Sequence, residues 1–97
     1  MKYLMMIVLM FSAMTASADD VVELCDNTAY LAYLVAEQYY QGTSIAQLHY
    51  LAESRLEISM IYLVRDEGVD SITAAKIYHT VCMDDPDFIL NLLYLPK

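Results

Sequence analysis

The side chains best suited to chemistry in this 97-residue chain are two histidines and two cysteines. Nucleophilic catalysis needs a hydroxyl or thiol beside an oriented base, and only His49 and His79 are bases near neutral pH. Neither histidine lies in a catalytic motif such as G-x-S-x-G or H-E-x-x-H. We therefore predict that the protein is not an enzyme and that both histidines are ordinary helix residues.

Metal binding is the second chemistry that these residue types suggest. Each histidine has a potential ligand four residues on, Glu53 after His49 and Met83 after His79, so each pair can share one helix face. Two ligands do not complete a site. The run Asp84-Asp85-Pro86-Asp87 lacks the glycine and the distal glutamate of an EF-hand loop, and helix capping explains it better. The sequence predicts no metal site and no cofactor.

The N-terminal residues have the three parts of a secretory signal peptide. Lys2 supplies a positive start, residues 4–11 form an apolar run, and Ala16-Ser17-Ala18 is a cut site directly before Asp19. We therefore expect cleavage after Ala18, with residues 1–18 removed as a signal peptide helix.

Export also predicts the state of the cysteines. The apolar run is shorter than the roughly 20 residues that span a bilayer, so we expect no stable membrane anchor after cleavage. The protein is then periplasmic or extracellular, where Cys25 and Cys82 are expected to form the one possible intramolecular disulfide. Residues 19–97 form a single small domain, which gains stability from such a bond.

The spacing of apolar residues and helix stops predicts an all-α fold. Gly42 and Gly68 are placed as left-handed helix stops. We expect helices at about residues 21–41, 44–66, 71–83 and 88–95, in a small antiparallel three- or four-helix bundle. In a plain up-down-up arrangement Cys25 and Cys82 differ in height by about two turns, so the third helix must tilt or cross to allow a disulfide.

The formal net charge of −8 excludes some partners. An acidic surface repels nucleic acid and anionic lipid headgroups, so we expect neither as a partner. It suits a basic protein, a cation or simple solubility.

The predicted bundle gathers acidic residues at one end. The start of helix one, the end of helix two and the start of helix three would meet there. We define this acidic pole as Asp19, Asp20, Glu23, Asp26, Asp66, Glu67 and Asp70. A disulfide would also bring Asp84, Asp85 and Asp87 near it. Acids favour helix N-termini, but Asp66 and Glu67 end a helix, where negative charge is disfavoured, so capping does not explain them.

A tyrosine stripe, defined as Tyr30, Tyr33 and Tyr40, projects from helix one on the side opposite its core face. Tyrosines in a row are typical of binding surfaces, because the ring combines apolar area with a polar tip. The alternative is that another helix, such as the apolar last one, covers them. The sequence leaves both interpretations open.

These features predict a small exported, non-enzymatic protein-binding module. Its partner is an unidentified protein, expected to be basic, and the general kind is an immunity or inhibitor protein. One alternative is an acid-stress periplasmic chaperone, since the acids would lose charge as the pH falls and free hydrophobic surface. Another is a structural homo-oligomer held by the apolar residues 87–95.

Overall fold

The computed structural model describes residues 18–95, and every regular element in that range is an α-helix. The helices are α1 Ala18–Tyr40, α2 Ile45–Leu51, α3 Arg55–Glu67, α4 Ser71–Asp84 and α5 Pro86–Tyr94. The all-α prediction is therefore confirmed. The proposed signal peptide lies outside the described residues, apart from Ala18.

The single helix predicted over residues 44–66 is wrong, because the chain is extended between α2 and α3. Ala52 has ψ 139° and Ser54 has φ −151° and ψ 169°, both outside the helical region. Two interactions stabilise the break. The Glu57 carboxylate, which is 1% exposed, accepts a hydrogen bond from the Glu53 backbone N–H at 3.2 Å. The Arg55 N–H donates to the carbonyl that follows α5, at 3.1 Å. The described residues thus form five helices rather than three or four.

The helix stops predicted at Gly42 and Gly68 are confirmed, whereas the first helix begins at Ala18 rather than residue 21 and the last at Pro86 rather than residue 88. Ser44, Asp70 and Asp85 each accept a hydrogen bond from the backbone N–H three residues further on, at 3.1, 2.7 and 3.2 Å. Gly68 ends α3 with φ +64°, and Gly42 follows α1 with φ +102°. Residues with a Cβ rarely adopt such angles, which explains both glycines.

The central pairing of the fold is between α1 and α4, which run antiparallel. Cys25 in the second turn of α1 faces Cys82 in the last turn of α4, with Cα atoms 5.3 Å and Sγ atoms 2.12 Å apart. Near the other end of the pair, the Ser71 hydroxyl donates to the Glu37 carboxylate. The predicted cysteine pairing is confirmed. The up-down-up arrangement, in which these two helices run parallel, is wrong, because their antiparallel direction places both cysteines at the same end of the pair.

The core lies where α1, α3, α4 and α5 meet. Its largest fully buried apolar side chains are Leu31, Leu56, Met60 and Ile89. The Tyr78 hydroxyl on α4 lies 2.7 Å from the Ser59 hydroxyl on α3 and joins these two helices. Burial raises the pKa of Tyr78 above its usual 10.0, since it disfavours the phenolate more than the Ser59 hydrogen bond favours it.

Reduction of the disulfide is expected to lower the free energy of unfolding by about 2–4 kcal/mol, because the bond restricts the unfolded chain. The two cysteines are 57 residues apart in sequence, so the loop that they close is long. Urea unfolding with and without reductant measures the effect. The double variant Cys25→Ser/Cys82→Ser is the control and should not respond to reductant. Equal midpoints for the wild type under both conditions would contradict the prediction.

Candidate partner-binding surface

The structure does not bring the seven acids of the predicted pole together. Asp26 on α1 lies beside the end of α4, with its Oδ1 atom 3.1 Å from the Nε2 atom of His79. Asp70 caps the opposite end of α4, whose 14 residues are about 20 Å long. The prediction of a single acidic pole is therefore wrong. The physical reason is the antiparallel direction of α1 and α4, which separates the start of α1 from the start of α4.

One group of acids lies at the disulfide end of the helix pair. The described members on α1 are Asp20, Glu23 and Asp26, and the backbone of Asp19 precedes them. The predicted approach of the acids after Cys82 is consistent with the disulfide. These follow it directly in the chain: Asp84, Asp85 and Asp87.

The second group of acids meets the tyrosine stripe at the other end. The Tyr40 hydroxyl donates a 2.6 Å hydrogen bond to the carbonyl of Val69, in the turn between α3 and α4. Tyr33 lines a shallow depression of about 200 Å³ together with Asp70 and Ile72. Asp66 and Glu67 directly precede this turn. We name this region the acidic tyrosine surface, defined as Tyr33, Tyr40, Asp66, Glu67 and Asp70.

The tyrosines of the stripe are exposed. Tyr30, Tyr33 and Tyr40 retain 52%, 36% and 50% of their accessible area. The alternative that another helix covers them is wrong, because α5 packs elsewhere and contributes Ile89 and Leu93 to the core. Tyr30 lies about one turn from Tyr33 and extends the surface along α1.

Fixed geometry distinguishes Tyr40 from an ordinary surface tyrosine. Its hydroxyl is held by the Val69 carbonyl, and its ring meets that of Tyr39 edge to face, with centroids 5.2 Å apart. Edge-to-face contact is the arrangement that aromatic rings prefer. The exposed face of Tyr40 is thus held in one orientation before any partner arrives.

Two carboxylates of this surface, Asp66 and Asp70, have a lowered pKa. Hydrogen bonds from the Thr73 hydroxyl and backbone N–H lower the pKa of Asp70. The pKa of Asp66 is lowered by the guanidinium of Arg65, whose Nε lies 2.7 Å from Oδ1. Arg65 offsets one negative charge, so Glu67 and Asp70 carry the net negative charge of the acidic tyrosine surface.

The histidines lie at two separate places. His79 faces Asp26, whereas His49 lines a groove of about 410 Å³ between α2, α3 and α5. Within residues 18–95, no three His, Cys, Asp or Glu side chains are grouped closely enough to hold a metal ion. The same range contains no helix with the length and apolar character that crossing a bilayer requires.

Sequence reasoning missed the groove beside His49, because it treated α2 and α3 as one helix. A signal for the break was present. Ser54-Arg55-Leu56-Glu57 matches the capping-box pattern that marks a helix start. Reading it would have placed Arg55 at the beginning of a new helix.

The outward face of α5 exposes the apolar Phe88 and Tyr94 beside the polar Asp87 and Asn91, and the exposed Leu95 follows the helix. Its inward face fills part of the core through Ile89 and Leu93. Self-association through residues 87–95 stays a prediction.

Comparisons of the chain with protein-family models, curated proteins and solved structures return no match. The chemistry of its own surfaces is therefore the basis on which we assign a function.

Tyr40→Phe is expected to lower the free energy of unfolding by about 0.5 kcal/mol, because it removes the hydrogen bond to the Val69 carbonyl. Tyr30→Phe is the matched control on the same helix and should leave the urea midpoint unchanged. Hydrogen exchange provides a second measurement, and amides in the turn 68–70 should exchange faster in Tyr40→Phe. Identical midpoints and exchange rates in the two variants would contradict the assigned role of Tyr40.

Proposed function

We propose that the protein is an exported, non-enzymatic binding module that engages a basic protein, in the manner of an immunity or inhibitor protein. The observation that carries the proposal is the hydrogen bond from Tyr40 to the Val69 carbonyl. It joins the exposed tyrosines of α1 to the acidic turn between α3 and α4, so that aromatic area and negative charge form one surface.

The tyrosines supply the apolar part of such an interface. Tyrosine is enriched in binding hot spots, since it buries a large area and loses little side-chain entropy. Tyr40 loses even less, because its ring is already held in place. Tyr33 and Ile72 border the depression, which suits one protruding side chain of a partner.

The acids supply complementarity to the partner. A guanidinium stacks on aromatic rings and forms paired hydrogen bonds with carboxylates, so an arginine is well suited to the depression beside Tyr33 and Asp70. The negative field of the whole chain also increases the association rate with a basic protein and disfavours acidic ones.

Affinity capture from an envelope extract tests this proposal. The variant Asp66→Asn/Glu67→Gln/Asp70→Asn removes the charge but keeps a capping side chain at position 70. We expect it to recover at least tenfold less of a stoichiometric basic partner than the wild type. Tyr33→Ser should weaken capture further, because it removes the aromatic wall of the depression.

The matched control is Asp84→Asn/Asp87→Asn, which removes charge at the opposite end of α4. It should capture the partner as well as the wild type does. Equal losses in both charge variants would indicate a general effect of net charge and would contradict a localised surface. An acidic partner would also contradict the proposal.

Export is tested by the mass of the protein outside the cytoplasm. We expect the recovered chain to begin at Asp19, because Ala16-Ser17-Ala18 is the expected cut site. Ala16→Leu/Ala18→Leu should block processing, whereas Ala13→Leu, outside the cut site, should not. Recovery of the whole 97-residue chain from the cytoplasm would overturn the assignment.

A further inference from the structure

A groove of about 410 Å³ lies between α2, α3 and α5, away from the acidic tyrosine surface. Its volume is within the range of small-molecule sites, about 300–1,000 Å³. It is lined by His49, Arg55, Ile58, Ser59, Tyr62 and Leu92. His49 and Arg55 form a polar part of the groove, and the other side chains form a second, mostly apolar part.

The polar part of the groove carries a guanidinium that no carboxylate among the described residues neutralises. Arg55 is exposed, and among residues 18–95 it makes no ion pair, although the chain has 13 acids. Arg65, on the same helix, pairs with Asp66. A lone guanidinium beside a concave surface is suited to an anionic ligand group, above all a carboxylate, which its fork can bind with two hydrogen bonds.

The position of Arg55 is fixed by the fold. Its backbone N–H donates to the Leu95 carbonyl at 3.1 Å, which ties the start of α3 to the end of α5. The groove is therefore bounded by helices on both sides, with Ile58 on α3 opposite Leu92 on α5.

The apolar part of the groove continues along α3. A second cleft of about 180 Å³ shares Ser59 and Leu92 with it and is otherwise walled by apolar side chains that include Leu63, Val81 and Phe88. The shared Ser59 hydroxyl is already engaged, since it donates to the Leu56 carbonyl and lies 2.7 Å from the Tyr78 hydroxyl. His49 and Arg55 lie at one end of the groove, and no other lysine, arginine or histidine lines either cleft.

We infer that the groove binds a fatty acid, with its carboxylate at Arg55 and its acyl chain along Ile58 and Leu92 toward Phe88. The groove has one positively charged end and continues as an apolar channel. A fatty acid has the matching shape, with one negatively charged head group and one acyl tail. An extended peptide fits less well, because its backbone N–H and C=O groups would need partners that these apolar walls do not provide.

The site is independent of the proposed protein-binding function. Arg55 is the first residue of α3, whereas Asp66 and Glu67 are its last two, so a variant of one end leaves the residues of the other end in place and either assignment can fail alone. A variant of Arg55 should capture the basic partner as well as the wild type does.

Titration of the mature chain with decanoate, below its micelle concentration and followed by ¹H–¹⁵N NMR, tests the inference. We expect saturable shifts at Ile58, Ser59 and Leu92. Arg55→Gln should raise the Kd for decanoate about tenfold, because it removes the charged head contact. Lys76→Gln, on α4 and outside the linings of both clefts, is the control and should leave the Kd unchanged.

Three further ligands separate the contribution of the charged head group to binding from that of the acyl tail, and test a peptide as the alternative ligand. Decanol should bind the wild type about tenfold more weakly than decanoate does, and Arg55→Gln should abolish that difference. Butyrate should not saturate the groove, because it lacks the tail. Equal affinity for decanoate and decanol, equal weakening by Lys76→Gln, or shifts confined to other residues would each overturn the inference. So would tighter binding of a leucine-terminated peptide with a free carboxylate.

Discussion

The antiparallel contact between α1 and α4 is the constraint on which the rest of the structure depends. It is held at one end by the Cys25–Cys82 bond and at the other by Tyr40, whose hydroxyl reaches the Val69 carbonyl. With both ends fixed, neither helix can slide or rotate against the other without losing one of these contacts. The pairing also decides which charged residues become neighbours, because it sets the direction of α4.

The extended residues 52–54 divide a segment of helical propensity into α2 and α3. The Glu57 carboxylate stabilises this break by accepting from the Glu53 N–H, and the Leu95 carbonyl stabilises it by accepting from the Arg55 N–H. The groove is lined by residues from both helices that the break separates, His49 of α2 and Arg55 of α3.

Charge is distributed over the surface in distinct regions. Acids occupy both ends of the α1–α4 pair, and only one of these ends also presents exposed tyrosines. The groove between α2, α3 and α5 has the opposite character, with a guanidinium that pairs with no carboxylate among residues 18–95 and with largely apolar walls. Because exposed charges more than about 10 Å apart are largely screened at physiological salt, each region can be recognised separately.

The sequence by itself determined the local features of this protein. Helix content follows from apolar spacing, the ends of helices from Ser44, Gly68 and Asp70, and the disulfide from there being two cysteines. These are decided by residues within a few positions of each other, or by the absence of any other pairing. Exposure of the tyrosine stripe was left open, since it depends on where α5 packs.

Only the tertiary structure decided the direction of the helices and therefore the grouping of the acids. Leu51, Ala52 and Glu53 are good helix formers, so local propensity favours a continuous helix. The Ser54 side chain makes no capping hydrogen bond, and the break is instead stabilised by the Glu57 carboxylate and by the bond from the Arg55 N–H to the end of α5. The acidic pole that short-range reasoning had predicted is divided by the antiparallel pairing of α1 and α4, which joins cysteines 57 positions apart.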